Sequence, residues 1–123
     1  MKGLLIVVLI VGGYWWFWGR TDSAVSVIEA QLQAVDKRDF ASAYDYLATD
    51  TKNAISPDTF QEQMQKQDPL MNRSKTRFWS RSIDKDVATI SGTIESLDTK
   101  QVKARYVLVK ERDHWVIKSY SFQ

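Results

Sequence analysis

The chain has 123 residues, a formal net charge of +2 and no cysteine. This length allows one compact domain beside a short terminal segment and is too small for two domains. The lack of cysteine excludes thiol nucleophiles and is compatible with an oxidising compartment without requiring one.

The N-terminal segment is strongly apolar. GLLIVVLIVGGYWWFWG spans residues 3–19 without a charge and is flanked by Lys2 and Arg20. As a helix it would be about 25 Å long, at the short end of what crosses a bilayer core of about 30 Å. Aromatic residues are enriched at the membrane interface. Residues 1–20 are therefore predicted to form a transmembrane anchor, with four aromatic residues at the headgroup level: Tyr14, Trp15, Trp16 and Trp18.

Two other interpretations of this segment are weaker. A cleaved signal peptide needs small residues at its cleavage site, and Trp18, Gly19 and Arg20 offer none. A buried helix of a small domain should not be apolar on every face. Lys2 and the amino terminus favour the cytoplasm for the N-terminus, although Arg20 competes with them. We therefore expect a single-pass protein of the bacterial inner membrane with a periplasmic or extracytoplasmic domain over residues 21–123.

Charge divides this domain in two. Residues 21–69 carry nine acidic and four basic side chains, whereas residues 70–123 carry six and eleven. The acidic half is predicted to form three helices, because apolar residues recur there at spacings of three and four. The first covers roughly residues 22–38. The second begins at Asp39, whose carboxylate can accept from the free amides of the next turn, and the third opens with Ser56 as N-cap and Pro57 at the first helical position.

The basic half changes to the pattern of strands. TRFWSRSI, VATISGTIES, QVKARYVLVKER and HWVIKSYSF are rich in β-branched and aromatic residues and are separated by short polar breaks. Such short connections imply antiparallel hairpins. The predicted fold class is α+β: a transmembrane helix, then about three helices packed on a curved four-stranded antiparallel sheet.

Three motifs carry a resemblance to a known superfamily. RDFASAYDYLA (residues 38–48), SPDTF (residues 56–60) and YVLVKERDHWVIKSYSF (residues 106–122) resemble segments of the nuclear-transport-factor-2-like, or cystatin-like, superfamily of cone-shaped domains. The chain also resembles small bacterial membrane-anchored proteins of unknown function. The resemblance implies a sheet curved around a helix, with a concave pocket that serves different members as an enzyme site, a small-molecule site or an assembly surface.

Candidate catalytic residues are few. The single histidine, His114, lies in a predicted turn, and four aspartates also occupy predicted turns: Asp84, Asp86, Asp98 and Asp113. Glu95 lies near a strand end, and no glycine-rich phosphate loop or metal-ligand spacing is present. We therefore expect no catalytic set, cofactor or metal, and a non-enzymatic role.

Basic residues of the predicted sheet are the main functional signal. In an extended strand Arg77, Trp79 and Arg81 project from one face, and Lys103 with Arg105 lies on a later strand. Such a row could bind an anionic group, stack on a ring or meet an acidic protein surface, but cations also decorate wet sheet faces without a partner. The aromatic residues Phe78, Trp115, Tyr120 and Phe122 are assigned to the core or a pocket wall.

Two functions remain as hypotheses. The first is a membrane-anchored accessory or assembly protein whose extracytoplasmic domain binds a membrane or envelope protein through the sheet. The alternative is a module that binds a small anionic or lipid-like molecule in the pocket. The bilayer is an expected partner of the N-terminal helix, a homodimer through the sheet is a further possibility, and nucleic acid is not expected.

Overall fold

The computed structural model describes residues 23–123. Five helices precede the sheet: α1 (residues 23–36), α2 (Phe40–Asp45), α3 (Thr49–Ala54), α4 (Pro57–Gln65) and α5 (Asp68–Met71). Four strands follow: β1 (Arg73–Asp84), β2 (Val87–Ser96), β3 (Gln101–Glu111) and β4 (His114–Phe122). They form one antiparallel sheet in the order β1-β2-β3-β4, which is a plain meander of hairpins.

Two helix starts follow the capping chemistry read from the sequence. The Asp39 carboxylate accepts from the Ser42 amide at 3.2 Å at the start of α2, and the Ser56 hydroxyl accepts from the Thr59 amide at 3.1 Å at the start of α4. Pro57 occupies the first turn of α4, where its missing N–H leaves no hydrogen bond unmade. Both predicted caps are confirmed. They can be predicted from the sequence because a cap depends only on neighbours within one turn.

Helix α3 is capped by a residue that is distant in the sequence and lies at the end of β3. Its own N-cap residue, Ala48, makes no side-chain cap. Instead the Glu111 carboxylate at the end of β3 accepts from the Thr49 amide at 3.0 Å and from the Thr49 hydroxyl at 2.9 Å. A carboxylate at this position also interacts favourably with the helix dipole. The contact therefore ties the helical layer to the end of β3.

The cap makes stability depend on pH. Hydrogen bonds from the Thr49 amide, and then from its hydroxyl, hold the pKa of Glu111 below its usual value of 4.5. The stabilising contribution is therefore present above about pH 4.5 and is lost as the pH falls through the lowered pKa of the folded state. We expect the Tm of the wild type to fall as the pH is lowered from about 6 to about 3. The Tm of Glu111→Gln should fall less over the same range.

Glu62→Gln is the matched control, because Glu62 is an exposed carboxyl of α4 whose side chain makes no hydrogen bond within residues 23–123. The measurement is thermal unfolding followed by circular dichroism at each pH. Equal losses of Tm in the wild type and in Glu111→Gln would show that the cap contributes nothing to the acid sensitivity.

The core lies between the helices and one face of the sheet. Alternate residues of β2 and β3 are buried there, and they form one apolar cluster with residues of α1, α2 and α4. Its largest fully buried members include Ile28 and Leu32 from α1, Phe60 from α4 and Leu108 from β3. The helices therefore cover only one side of the sheet.

The predicted fold class needs correction. The α+β class and the four-stranded antiparallel sheet are present, but residues 23–123 contain five helices rather than about three. The transmembrane helix included in that prediction is not supported: among residues 23–123, no helix has the length and hydropathy needed to cross a bilayer. The anchor assigned to residues 1–20, with its interfacial Tyr14, Trp15, Trp16 and Trp18, lies outside the described residues.

Candidate functional site

The side of the sheet opposite the helices is its outer face. It carries four polar residues of β2, namely Thr89, Ser91, Thr93 and Glu95, and four residues of β3, namely Lys103, Arg105, Val107 and Val109. None of these eight residues is buried. The sheet thus presents a polar and basic surface that the described helices leave uncovered.

A β-bulge in β1 shapes one end of this face. Arg77 lies opposite Thr93 and Phe78 opposite Gly92, but Ser80 already lies opposite Ser91, so Trp79 is an extra residue. The indole Nε1 of Trp79 donates to the Thr93 hydroxyl at 3.0 Å. Trp79 therefore lies on the outer face, where its side chain is 61% exposed.

Four of the five predicted binding residues lie on the outer face. Arg77 and Lys103 are both paired with Thr93, one from each neighbouring strand, and Trp79 bonds to the same threonine. Arg105 lies opposite Ser91, the next outward residue of β2. Because neighbouring strands are about 4.8 Å apart, these cations and the indole lie close together around Thr93. This arrangement is called the Thr93 cluster below.

Arg81 lies on the other side of the sheet. After the bulge it is paired with Ile90, which is fully buried under the helices, and paired residues share a face. The predicted row of Arg77, Trp79 and Arg81 is therefore divided between the two faces. A prediction that assumes strict alternation along the strand misses this change of face. One extra residue moves every side chain after it to the opposite face of the sheet.

The Thr93 cluster is positively charged. Lys75 pairs with Glu95 at 3.1 Å, and this hydrogen bond is the main cause that lowers the pKa of Glu95. Arg77, Lys103 and Arg105 make no ion pair within residues 23–123. Arg77 lies near enough to Glu95 to add to the lowering of its pKa, but no described acid makes an ion pair with any of the three cations.

A second concave region, the β4 groove, runs between β4 and the helices α3 and α4. Its volume is about 380 Å³. Ten residues line it: Thr51, Ile55, Gln63, Lys66, Gln67, Lys118, Ser119, Tyr120, Ser121 and Phe122. Two lysines and no acid are among them, and neither Arg77 nor Arg105 reaches it. Tyr120 and Phe122 thus form a groove wall, whereas Trp115 is buried in the core.

Two tyrosines stand out inside the domain. Tyr120 donates its hydroxyl to the side-chain carbonyl of Gln63, and burial raises the pKa of Tyr120 to about 12. The Tyr106 hydroxyl is fully buried without a hydrogen-bond partner within the described residues, and burial raises its pKa well above the usual value. Neither phenol titrates near neutral pH, so neither is suited to general acid–base chemistry there.

The candidate acids and the histidine are dispersed. Asp84 ends β1, and Asp86, Asp98 and Asp113 lie in turns, while His114 begins β4; all are exposed. Of the carboxyl groups with perturbed titration, Asp39, Glu95, Asp98 and Glu111, each has a lowered pKa because hydrogen bonds favour its charged form. Residues 23–123 contain no group of His, Asp and Glu side chains placed to hold a metal ion.

Helices packed on one face of a four-stranded meander, with a basic and uncovered opposite face, define a small α+β domain. The chain belongs to the family described as a domain of unknown function, DUF4864, whose model matches residues 20–122. No curated protein matches it. Neither this family match nor the helices of residues 23–123 support the nuclear-transport-factor-2-like part of the predicted fold class or the membrane-anchored description.

Solved structures share the fold. The solution structure of a SEC-C motif containing protein from Rhodopseudomonas palustris is similar, with a TM-score of 0.64 and 12% sequence identity. The match covers 89% of this chain and 86% of that protein. At this identity the likeness concerns the fold alone.

Proposed function

We propose that this domain is a non-enzymatic accessory module that binds an acidic surface of a partner protein through the outer face of its sheet. The observation that carries the proposal is the Thr93 cluster, in which an exposed indole shares the outer face with Arg77, Lys103 and Arg105. Tryptophan and arginine dominate the binding energy of many protein interfaces. An indole held by a hydrogen bond also loses less side-chain entropy on binding.

Charge favours a different protein over a second copy of the chain. In a symmetric dimer the same patch meets itself, so two outer faces would bring six cations together. Like charges placed face to face are unfavourable, whereas an acidic partner gains both attraction and faster association. The proposed partner is therefore a different protein with an acidic patch.

The predicted alternative, capture of a small anionic or lipid-like molecule by Arg77 and Arg105, has less support. Both residues lie on an open sheet face, and neither lines the β4 groove. Ligands of that size usually occupy concave sites that bury most of their surface.

The test combines photo-crosslinking with charge reversal in the full-length chain. A photoreactive side chain in place of Ser91 reports what lies over the outer face. Arg77→Glu/Arg105→Glu reverses the Thr93 cluster, and Lys37→Glu/Lys85→Glu makes the same charge change at exposed positions outside it. We expect a crosslink to a second protein that the first variant loses and the control keeps.

Binding of the purified partner should then weaken about tenfold or more in Arg77→Glu/Arg105→Glu and fall with ionic strength, because the cluster is exposed to solvent. Both variants should keep the Tm of the wild type, since surface substitutions change stability little. Crosslinks only to the same chain, or a partner that both variants retain equally, would contradict the proposal.

A further inference from the structure

We infer that the edge of β4 accepts an extended acidic peptide of a partner protein, which adds to the sheet as a fifth strand along the β4 groove. This surface is separate from the Thr93 cluster, so the inference stands or fails independently of the function proposed above. It rests on the unpaired backbone of β4, on strand pairing already present at this edge, and on the charge of the groove.

The last part of β4 has an unpaired backbone along the edge that faces away from β3. Lys103 and Gln123 exchange two backbone hydrogen bonds at 3.0 and 2.8 Å, which fixes the alternation along the strand. In an antiparallel pair every second residue turns its N–H and C=O away from the partner. Tyr120 and Phe122 are these residues, and within the described chain their backbone groups make no hydrogen bond on that side. The edge therefore offers two donors and two acceptors in a row.

The chain itself already pairs with this edge over a short distance. The Ile117 amide donates to the Tyr46 carbonyl at 2.9 Å, and the Ala48 amide donates to the Ile117 carbonyl at 2.7 Å. This is one parallel bridge between Leu47 and Ile117, and it ends because α3 begins at Thr49. A β-bulge at Lys118 follows, and its carbonyl accepts from the Thr51 hydroxyl, so an incoming peptide would pair beyond the bulge, at Tyr120 and Phe122.

Beyond this bridge the strand and helix α4 are separated by the β4 groove. Its volume of about 380 Å³ accommodates side chains of an extended segment. Ile55, Tyr120 and Phe122 offer apolar surface, and Gln63 and Gln67 offer amides from α4. In β-strand addition the backbone supplies affinity while such pockets select alternate side chains.

The groove is basic, which identifies the chemistry of the peptide. Lys118 lies on β4 and Lys66 on α4, so the two cations flank the groove from opposite walls. Neither makes an ion pair within residues 23–123, and no acid lines the groove. A lysine on an edge strand often has no role other than preventing the strand from pairing with a wrong partner. That role explains Lys118 but does not require a second lysine on α4. The arrangement favours a segment with acidic residues around one apolar residue.

The probe is a blocked six-residue peptide of alternating glutamate and valine, added to the full-length chain. Two control peptides accompany it: lysine in place of glutamate, and the same acidic peptide with N-methylated backbone amides, which cannot complete a strand ladder. The readout is amide hydrogen exchange and NMR chemical shift, followed at Tyr120 and Phe122.

We expect the acidic peptide to slow exchange at Tyr120 and Phe122, and expect neither control peptide to do so. Lys66→Glu/Lys118→Glu should weaken binding about tenfold or more. Arg77→Glu/Arg105→Glu should bind as the wild type does, which separates this surface from the Thr93 cluster. The variant Lys37→Glu/Lys85→Glu serves as the matched charge control and should also bind normally.

Three results would overturn the inference. Equal shifts with the N-methylated peptide would indicate attraction of an anion without strand addition. Shifts reproduced by free glutamate would assign the groove to small anions. Unchanged exchange at Tyr120 and Phe122 under saturating peptide would exclude pairing at this edge.

Discussion

Phe60→Ala is expected to lower the free energy of unfolding by about 3–5 kcal/mol, because it removes a large ring from a core that cannot close around the gap. Phe60 is fully buried, and its ring contacts Tyr44 and Tyr120 edge to face at centroid distances of 5.8 and 6.0 Å. It therefore joins α4 both to α2 and to β4. Since domains of this size have about 5–15 kcal/mol of stability, the variant should be only marginally folded.

Urea unfolding of the purified chain measures this effect, and two variants calibrate it. Phe60→Leu keeps most of the apolar volume and should lose clearly less than Phe60→Ala. Trp79→Ala removes a larger ring from the outer face, where the side chain is 61% exposed, and should change stability by about 0.5 kcal/mol. A loss in Phe60→Ala no larger than that in Trp79→Ala would contradict the assignment of Phe60 to the centre of the core.

Gly92→Ala is expected to cost about 1–3 kcal/mol through overpacking, although alanine is only one methyl group larger. An added Cβ would lie 2.3 Å from the Arg77 carbonyl oxygen and 3.1 Å from a ring carbon of Phe78. The first contact is with backbone, so relief requires β1 to move away from β2. That movement would disturb the bulge that holds Trp79.

Two readouts follow for Gly92→Ala. Chemical denaturation measures the loss of stability, and the NMR signal of the Trp79 indole N–H reports its hydrogen bond to Thr93. We expect both to change, whereas Ser91→Ala on the outer face should change neither beyond a small shift. Wild-type stability together with an unshifted indole signal would mean that the strands are not as close as described.

Local signals in the sequence identified the helices that carry their own caps. Asp39 and Ser56 act on amides within the next turn, so their neighbours in the chain suffice to recognise them. The start of helix α3 has no such local signal, because its cap, Glu111, lies 62 residues away and becomes a neighbour only in the folded domain. Helix α5, only four residues long, has little periodicity to detect.

The candidate site was predictable in composition but not in geometry. Four of the five basic and aromatic residues chosen from the strand pattern share the outer face, whereas the bulge at Trp79 sends Arg81 to the other side. Gly92 was the available signal, since glycine within a strand often marks a bulge or a close approach of two backbones. The β4 groove depends on how α4 packs beside the sheet edge, which periodicity does not reveal. The membrane helix was predicted from the apolar run of residues 3–19. Among residues 23–123, no helix is long and apolar enough to cross a membrane.

Helix α3 has no buried residue. It is held by the Glu111 cap, by the Thr51 hydroxyl donating to the Lys118 carbonyl at 2.7 Å, and by the Tyr44 hydroxyl shared between two carbonyls at its C-terminal end. Local opening of such a segment breaks a few hydrogen bonds and exposes almost no apolar surface, so it costs far less than global unfolding. Thr51 and Ile55 also line the β4 groove. Movement of α3 can therefore change the width of the groove to fit an occupant while the core stays packed.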